Sequence, residues 1–138
     1  MKEVQTLIVN SLDKKRLSKL FPVQQSYAEL RDNIKLLEEK LGTAKTLTAK
    51  KVPPTVVTMN SRVEVKNLSL GRAMAVELVY PDAVDAARFK ISIFSPLGAA
   101  IFGYSQGDEF LWAGRSGKNR FRIEKVLYQP ESAGDYHL

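Results

Sequence analysis

The sequence lacks the residues that several kinds of functional site require. It has no cysteine, which excludes disulfides and thiolate metal sites and is compatible with the cytoplasmic location that we expect. The chain has one histidine, His137, so it lacks the residues for a Ser-His-Asp triad or a multi-histidine metal site. No apolar run approaches the roughly 20 residues that span a bilayer, and the N-terminus has no signal-peptide pattern. We therefore expect no metal, no cofactor and no membrane partner.

Phosphate-binding glycine motifs are also missing, although three glycines lie close together in SPLGAAIFGYSQGDEF, residues 95–110. Dinucleotide loops need G-x-G-x-x-G, and Walker loops need G-x-x-x-x-G-K-[ST]. GRSGK, residues 114–118, lacks the Walker spacing and lies between two predicted strands. Ser95 and Pro96 instead suit the N-cap and first position of a short helix, which Gly103 ends. We interpret both segments as scaffold, and nothing in the sequence requires an enzyme.

The charge is concentrated in the N-terminal third of a chain that is otherwise typical of a globular protein. Hydrophobic residues make up 44% and charged residues 26%, which predicts a packed core. Residues 1–52 hold 11 Lys and Arg against 6 Asp and Glu, whereas residues 53–138 hold 10 against 9. This excess suits a solvated helical surface, or a surface that attracts nucleic acid or an acidic protein. The alternation of lysines with acids favours the first interpretation.

Residues 1–51 are predicted to form a short antiparallel helical hairpin. NSLDKKRLSKLFP, residues 10–22, offers Asn10 or Ser11 as the N-cap of the first helix, and Pro22 is expected to stop it. The loop that follows is short, which implies that the next helix runs antiparallel to the first. The hairpin tip therefore falls at Val23–Ser26.

The second helix of the hairpin is predicted to run from Ser26 to Gly42. Ser26 and Glu29 match a capping box, and Gly42 suits the C-cap. The apolar residues of the helix repeat with heptad spacing, at Tyr27, Leu30, Ile34, Leu37 and Leu41. Two heptads are marginal alone, so the hairpin either packs on the rest of the chain or projects as an arm.

Residues 52–138, which begin within the linker TLTAKKVPP (residues 46–54), are predicted to form a sheet with a core of its own. Apolar residues alternate in segments that carry Val63 and Val65, Met74 to Tyr80, Phe89 to Ile93, and Phe121 with Ile123. Strands with one apolar face need a cover, and the short helix that begins after Ser95 supplies it. The alternation of basic and aromatic residues in NRFRIEKVLY fits a charged outer strand face better than a site for single-stranded nucleic acid.

The sheet segments resemble the Gre family of transcript-cleavage factors, and in particular its Rnk group, the regulators of nucleoside diphosphate kinase. The similar segments cover most of residues 52–138 in order: VPPTVVTMNSRVEVKNL, LVYP, ISIFSPLGAAIFGYSQGDEFLW and VLYQPESAGDYHL. The last of these distinguishes the Rnk group. The resemblance implies an α+β fold, in which an FKBP-like curved antiparallel β-sheet with a short helix carries the N-terminal hairpin. The likeness to FKBP does not imply prolyl isomerase activity.

The resemblance implies that the chain binds bacterial RNA polymerase near its secondary channel. The C-terminal domain would dock on the rim. The helix after Ser95 and its flanks form an apolar, glycine-rich surface with little charge, so we expect Ser95, Pro96, Leu97 and Gly98 to face the partner while Ile101 and Phe102 pack inward. The hairpin would point toward the channel with its tip residues, Val23, Gln24, Gln25, Ser26, Glu29 and Asp32. In Gre factors, tip acids in a D-x-x-E pattern hold a magnesium ion of the polymerase. Here Glu29 and Asp32 stand in the opposite order, and the hairpin is shorter.

The sequence therefore favours a monomeric, non-enzymatic regulator that binds RNA polymerase. One alternative is a Gre-like stimulator of transcript cleavage by the polymerase. The other is a nucleic-acid-binding module that uses the basic N-terminal residues, and a weak contact of those residues with nucleic acid stays open.

Overall fold

The computed structural model describes residues 7–114 and 117–136, so that His137 lies outside the described residues. The helices are α1 (Ser11–Gln24), α2 (Arg31–Thr43), α3 (Pro96–Ile101) and α4 (Pro130–Ala133). The strands are β1 (Ile8–Asn10), β2 (Lys45–Leu47), β3 (Arg62–Asn67), β4 (Arg72–Val79), β5 (Lys90–Ser92), β6 (Glu109–Gly114) and β7 (Gly117–Tyr128). Within the described parts of the chain, no helix is long and apolar enough to cross a membrane.

The main sheet has five strands in the order β5-β4-β3-β7-β6. β3 pairs antiparallel with β4 and β7, and β6 pairs antiparallel with β7. β5 instead runs parallel to β4, so the sheet is mixed where the sequence predicts an antiparallel one. The reason is that residues 80–89 do not form a hairpin turn but return along the sheet edge through two short 3-10 turns. The predicted α+β architecture with a short helix is confirmed.

The helical hairpin is closed at its base by a small parallel sheet that the sequence analysis missed. β1 precedes α1 and β2 follows α2, and the two strands pair from Ile8 with Lys45 to Asn10 with Leu47. The backbone N–H of Ile8 also donates to the carbonyl of Gly103, just after α3. Three-residue strands give too little alternation to be recognised in a sequence.

Helix α1 begins where predicted and ends later than predicted. The side chain of Asn10 accepts a hydrogen bond of 2.9 Å from the backbone of Leu12, which confirms Asn10 as the N-cap. The helix continues through Pro22 to Gln24, so the predicted stop at Pro22 is wrong. Pro22 lies in the last turn, and the ring of Phe21 packs edge-on against Phe94 with centroids 6.2 Å apart. This packing holds the last turn on the core despite the proline.

The predicted caps of the second helix are both wrong. α2 begins at Arg31 rather than at Ser26, because the hydroxyl of Ser26 donates to the carbonyl of Val23 in the turn after α1. A 3-10 turn, Ala28–Leu30, precedes the helix and has no side-chain cap. At the other end, Ala44 is the C-cap, and Gly42 lies inside the helix. The seam is largely confirmed: Ile34, Leu37 and Leu41 are buried, Leu30 is half-buried, and Tyr27 is exposed.

Hairpin and sheet contribute to one hydrophobic cluster. Leu17 and Phe21 of α1 and Leu37 of α2 belong to the same buried set as Val65 of β3 and Ile123 of β7. The expectation that the sheet has a core of its own is therefore wrong. A two-heptad hairpin leaves part of its apolar seam uncovered, and here the helix α3 and the sheet cover it. The boundary between residues 51 and 52 stays a prediction about folding units.

Candidate partner-binding surface

The N-terminus of α3 forms a tightly bonded corner with an exposed outer edge. Ser95 is the N-cap, and its hydroxyl accepts from the backbone N–H of Gly98 at 3.1 Å and donates to the carbonyl of Ser92 at 2.6 Å. Pro96 occupies the first turn of the helix and is exposed, while Leu97 is half-buried. The outer edge is therefore an uncharged surface made of Ser95, Pro96 and Leu97, which we call the α3 corner.

Gly98 does not lie on the α3 corner. It is buried, and a Cβ built on it would lie 2.1 Å from the carbonyl oxygen of Ser92 and 2.9 Å from the hydroxyl of Ser95. The prediction that Gly98 faces a partner is wrong, because the helix approaches the β5 backbone too closely there for any side chain. Ile101 and Phe102 are fully buried, so the prediction that they pack inward is confirmed.

Behind α3, a buried lysine joins the hairpin to the sheet. Lys40 of α2 donates from Nζ to the carbonyls of Ala100 and Phe102, at 2.7 and 2.8 Å, and lies 4.3 Å from the centroid of the Tyr104 ring. Burial lowers the pKa of Lys40 to about 7, while the two carbonyls at the C-terminal end of α3 and the ring favour the protonated amine.

Lys40 is a contact that sequence reasoning missed. Its signal is its position, since a residue three places after Leu37 lies on the buried stripe of the helix. The other end of α2 is attached to the segment just before α3, because the side-chain amide of Asn33 donates to the carbonyl of Phe94 at 2.8 Å. Together these bonds fix the hairpin against the α3 corner.

The predicted tip residues lie together in solvent. Val23 is 62% exposed, Gln24 is partly buried, and the others are exposed: Gln25, Ser26, Glu29 and Asp32. The hydroxyl of Ser26 does not engage Glu29, because it bonds to Val23. In the part of the chain that the structure describes, no group of three or more His, Cys, Asp or Glu side chains is arranged to hold a metal ion.

Two of the segments that carry the sequence resemblance, VTMNS and YQPE, take part in a buried polar network rather than in an exposed site. The carboxylate of Glu131, in YQPE, accepts from the amide of Asn10 at 2.6 Å and from the hydroxyl of Thr58 at 2.7 Å. Thr58 and Ser61, in VTMNS, are hydrogen-bonded to each other at 2.9 Å. Gln129 donates to the carbonyl of Pro53 in the linker and to that of Val56 just after it.

Asp13 completes this network from the first turn of α1. Its carboxylate accepts from the backbone N–H of Met59 at 3.1 Å, and the residue is only 2% exposed. Burial raises the pKa of Asp13 to about 7, and the nearby charge of Glu131 adds to the rise. These residues therefore attach α1 to the segment before β3 and to α4, and the α3 corner and the tip lie outside the network.

Comparison with known proteins covers nearly the whole chain. A family model described as "Transcription elongation factor, GreA/GreB, C-term" matches residues 52–128. The chain is 37% identical over 134 residues to "Regulator of nucleoside diphosphate kinase" of Escherichia coli (strain K12), with 96% of this chain and 97% of that protein covered. It is 30% identical over 99 residues to "Transcription elongation factor GreA" of Amoebophilus asiaticus (strain 5a2), with 72% of this chain and 63% of that protein covered.

The solved structures give the same result for the fold. "Prokaryotic transcription elongation factor GreA/GreB from Nitrosomonas europaea" has a TM-score of 0.73 and 39% sequence identity, over 89% of this chain and 100% of that one. The matched range of the family model contains the main sheet, α3 and the α3 corner. The chain belongs to the GreA/GreB family of transcription elongation factors, in which it is similar over almost its full length to the regulators of nucleoside diphosphate kinase.

Proposed function

We propose that the protein regulates transcription by binding RNA polymerase through the α3 corner, and that it does not stimulate transcript cleavage. The observation that carries this proposal is the geometry of the corner. Its Ser95 cap and the close packing at Gly98 make it rigid, while Pro96 presents an uncharged edge to solvent. A rigid surface with little charge loses little conformational entropy and little hydration when a protein partner covers it.

The corner is tested by Pro96→Glu. An acid at the first helical position favours the helix, so the variant should fold while a charge interrupts the proposed contact. Binding to core RNA polymerase should weaken by about tenfold or more. The matched control is Pro54→Glu, at an exposed proline in the linker, and it should bind as the unmodified protein does. Equal affinities of all three proteins would refute docking through the α3 corner.

The tip supports a regulator rather than a cleavage factor. Cleavage needs carboxylates placed on a magnesium ion, which takes oxygen ligands at about 2.1 Å with little tolerance. Residues 23–26 carry no carboxylate, and α2 has 13 residues, a reach of about 20 Å. Glu29 and Asp32 are exposed acids near the tip. They make cleavage stimulation the second candidate function.

The two functions are separated with stalled elongation complexes that carry labelled RNA. The full chain, added with magnesium, should leave backtracked transcripts uncut and should reduce cleavage by an added Gre factor, because the two proteins compete for one site. If transcripts shorten, and if Glu29→Ala together with Asp32→Ala abolishes that shortening, the chain is a cleavage factor. Tight binding of free DNA or RNA with a steep salt dependence would instead favour the nucleic-acid-binding module.

A further inference from the structure

A cleft of about 500 Å³ lies between α1 and the segment that follows β4, and the proposed function does not use it. Its lining combines two cations, two further polar side chains and an apolar wall: Arg16, Lys19, Leu20, Gln24, Tyr80, Pro81 and Asp82. The volume lies in the range of roughly 300–1,000 Å³ that small-molecule sites occupy. The α3 corner shares no residue with this lining.

The cleft is bordered by a strongly basic helix, α1. α1 carries Lys14, Lys15, Arg16 and Lys19, and its one acid is Asp13. Asp13 points into the buried network and is 2% exposed, so its carboxyl does not neutralise the outer surface of the helix. Charge complementarity therefore favours an anionic ligand beside α1.

The walls of the cleft are held in place by the core. Leu20 and Tyr80 both pack against the hydrophobic cluster. The positive charge of Arg16 acts on both Tyr80 and Asp13, which places its side chain near these two residues. Burial raises the pKa of Tyr80 well above its usual range, and because its hydroxyl oxygen is buried, the ring is the part of Tyr80 that the cleft can offer to a ligand.

We propose that this cleft binds a nucleoside monophosphate. Arg16 and Lys19 supply the cations that a phosphate needs. Leu20, Tyr80 and Pro81 supply the apolar part of the lining, against which a base can pack. At the rim, the Gln24 amide can donate or accept, whereas the Asp82 carboxylate accepts from ring N–H and amino groups. A purine that presents adjacent N–H donors, as guanine does, fits that pair best.

The test is a calorimetric titration of the full chain with GMP, AMP and inorganic phosphate at one fixed salt concentration. GMP should bind saturably, at one molecule per chain, and should bind more tightly than inorganic phosphate. Lys19→Gln should weaken GMP binding by about tenfold, since it removes one charge-assisted hydrogen bond to phosphate. Lys15→Gln removes the same charge from an exposed position of α1 outside the cleft, and it should leave GMP affinity unchanged.

Each contrary outcome overturns the proposal. Equal losses for Lys15→Gln and Lys19→Gln would mean that GMP responds to the overall charge of α1 rather than to the cleft. If inorganic phosphate binds as tightly as GMP, the cleft is a general anion site and does not recognise the nucleoside. If GMP does not bind saturably, the cleft is not a nucleotide site. Both variants change exposed lysines, so both should fold, and a thermal melt of each verifies this.

Discussion

At the scale of single residues, several polar side chains are buried and hydrogen-bonded to one another. Asn10, Thr58 and Glu131 form one chain of hydrogen bonds, and every link spans at least 73 residues of sequence. A buried polar group without a partner costs about 1–3 kcal/mol, so each member of such a chain depends on the others. These residues therefore act through the fold, and their substitution would report on stability before it reported on partner binding.

Two glycines in helices should respond in opposite directions to alanine. Gly98→Ala places a Cβ 2.1 Å from the carbonyl oxygen of Ser92, and the required backbone shift should cost about 1–3 kcal/mol of unfolding free energy. Gly42→Ala has nothing within 4 Å of its Cβ and should stabilise α2 by about 0.5–1 kcal/mol. Urea unfolding of both variants measures the difference. Equal effects would show that the close approach at Gly98 relaxes without cost.

Asp13 should make the protein less stable as the pH rises from about 4 to about 7. The pKa of its carboxyl is raised from 3.8 to about 7 in the folded chain, mainly by burial. The folded state therefore keeps a proton that the unfolded state releases across this window, and the stability contributed by that proton is lost as the pH rises through the folded pKa.

The variant Asp13→Asn isolates this effect, since its side-chain oxygen can still accept from the backbone N–H of Met59. Thermal melts of both proteins from pH 4 to pH 8 should show a decline in Tm for the unmodified chain that the variant lacks. Two parallel profiles would assign the pH dependence to other groups.

At the scale of elements, the sequence predicts correctly those strands and helix faces that short-range hydrophobic patterns determine. The alternation of Val63 with Val65 and the 3-4 spacing from Ile34 to Leu41 correctly place strand β3 and the buried face of α2. The caps could not be predicted with equal success, because a serine hydroxyl has several local acceptors and Ser26 bonds to Val23 rather than to the helix it precedes. The burial of Lys40 depends on carbonyls about 60 residues away, which no local pattern encodes.

Lys40→Met should loosen the attachment of the hairpin to α3. The variant keeps most of the apolar stem but leaves the carbonyls of Ala100 and Phe102 without their donor. We expect a loss of about 1–3 kcal/mol in the free energy of unfolding. The control is Lys35→Met, at an exposed position of the same helix, which should change it little. An unchanged value for Lys40→Met would mean that the cost of desolvating the amine cancels its hydrogen bonds.

At the scale of the whole molecule, the shared core bears on whether residues 1–51 form a unit. Leu37 of α2 and Phe94 beside α3 belong to one buried cluster, and cooperative unfolding follows such continuity. The sequence suggests a boundary because composition changes near residue 52. Composition does not reveal that the hairpin folds back onto the sheet, since that depends on contacts between residues far apart in the chain.

The whole chain should therefore unfold in one transition. Leu37→Ala, at a fully buried position, should cost about 2–5 kcal/mol and should shift two signals together: helical circular dichroism, and the fluorescence of Trp112 in β6. Val23→Ala removes a side chain that is 62% exposed and should shift neither. If Leu37→Ala moves the helical signal while the Trp112 transition stays in place, the two parts fold separately, with a boundary at residue 52.

The hydrogen bond between Asn10 and Glu131 also constrains when α1 can become fully bonded during synthesis. The two residues are 121 positions apart, and at about 5–20 residues per second a ribosome needs roughly 6–24 s to pass from one to the other. During synthesis Asn10, the N-cap of α1, is thus made well before its carboxylate partner, whereas the buried acid of the same helix, Asp13, bonds to the backbone of Met59, which follows after 46 residues. The polar contacts of α1 therefore form in order along the chain, the bond to Met59 before the bond to Glu131, and the helix stays incompletely bonded until α4 has been made.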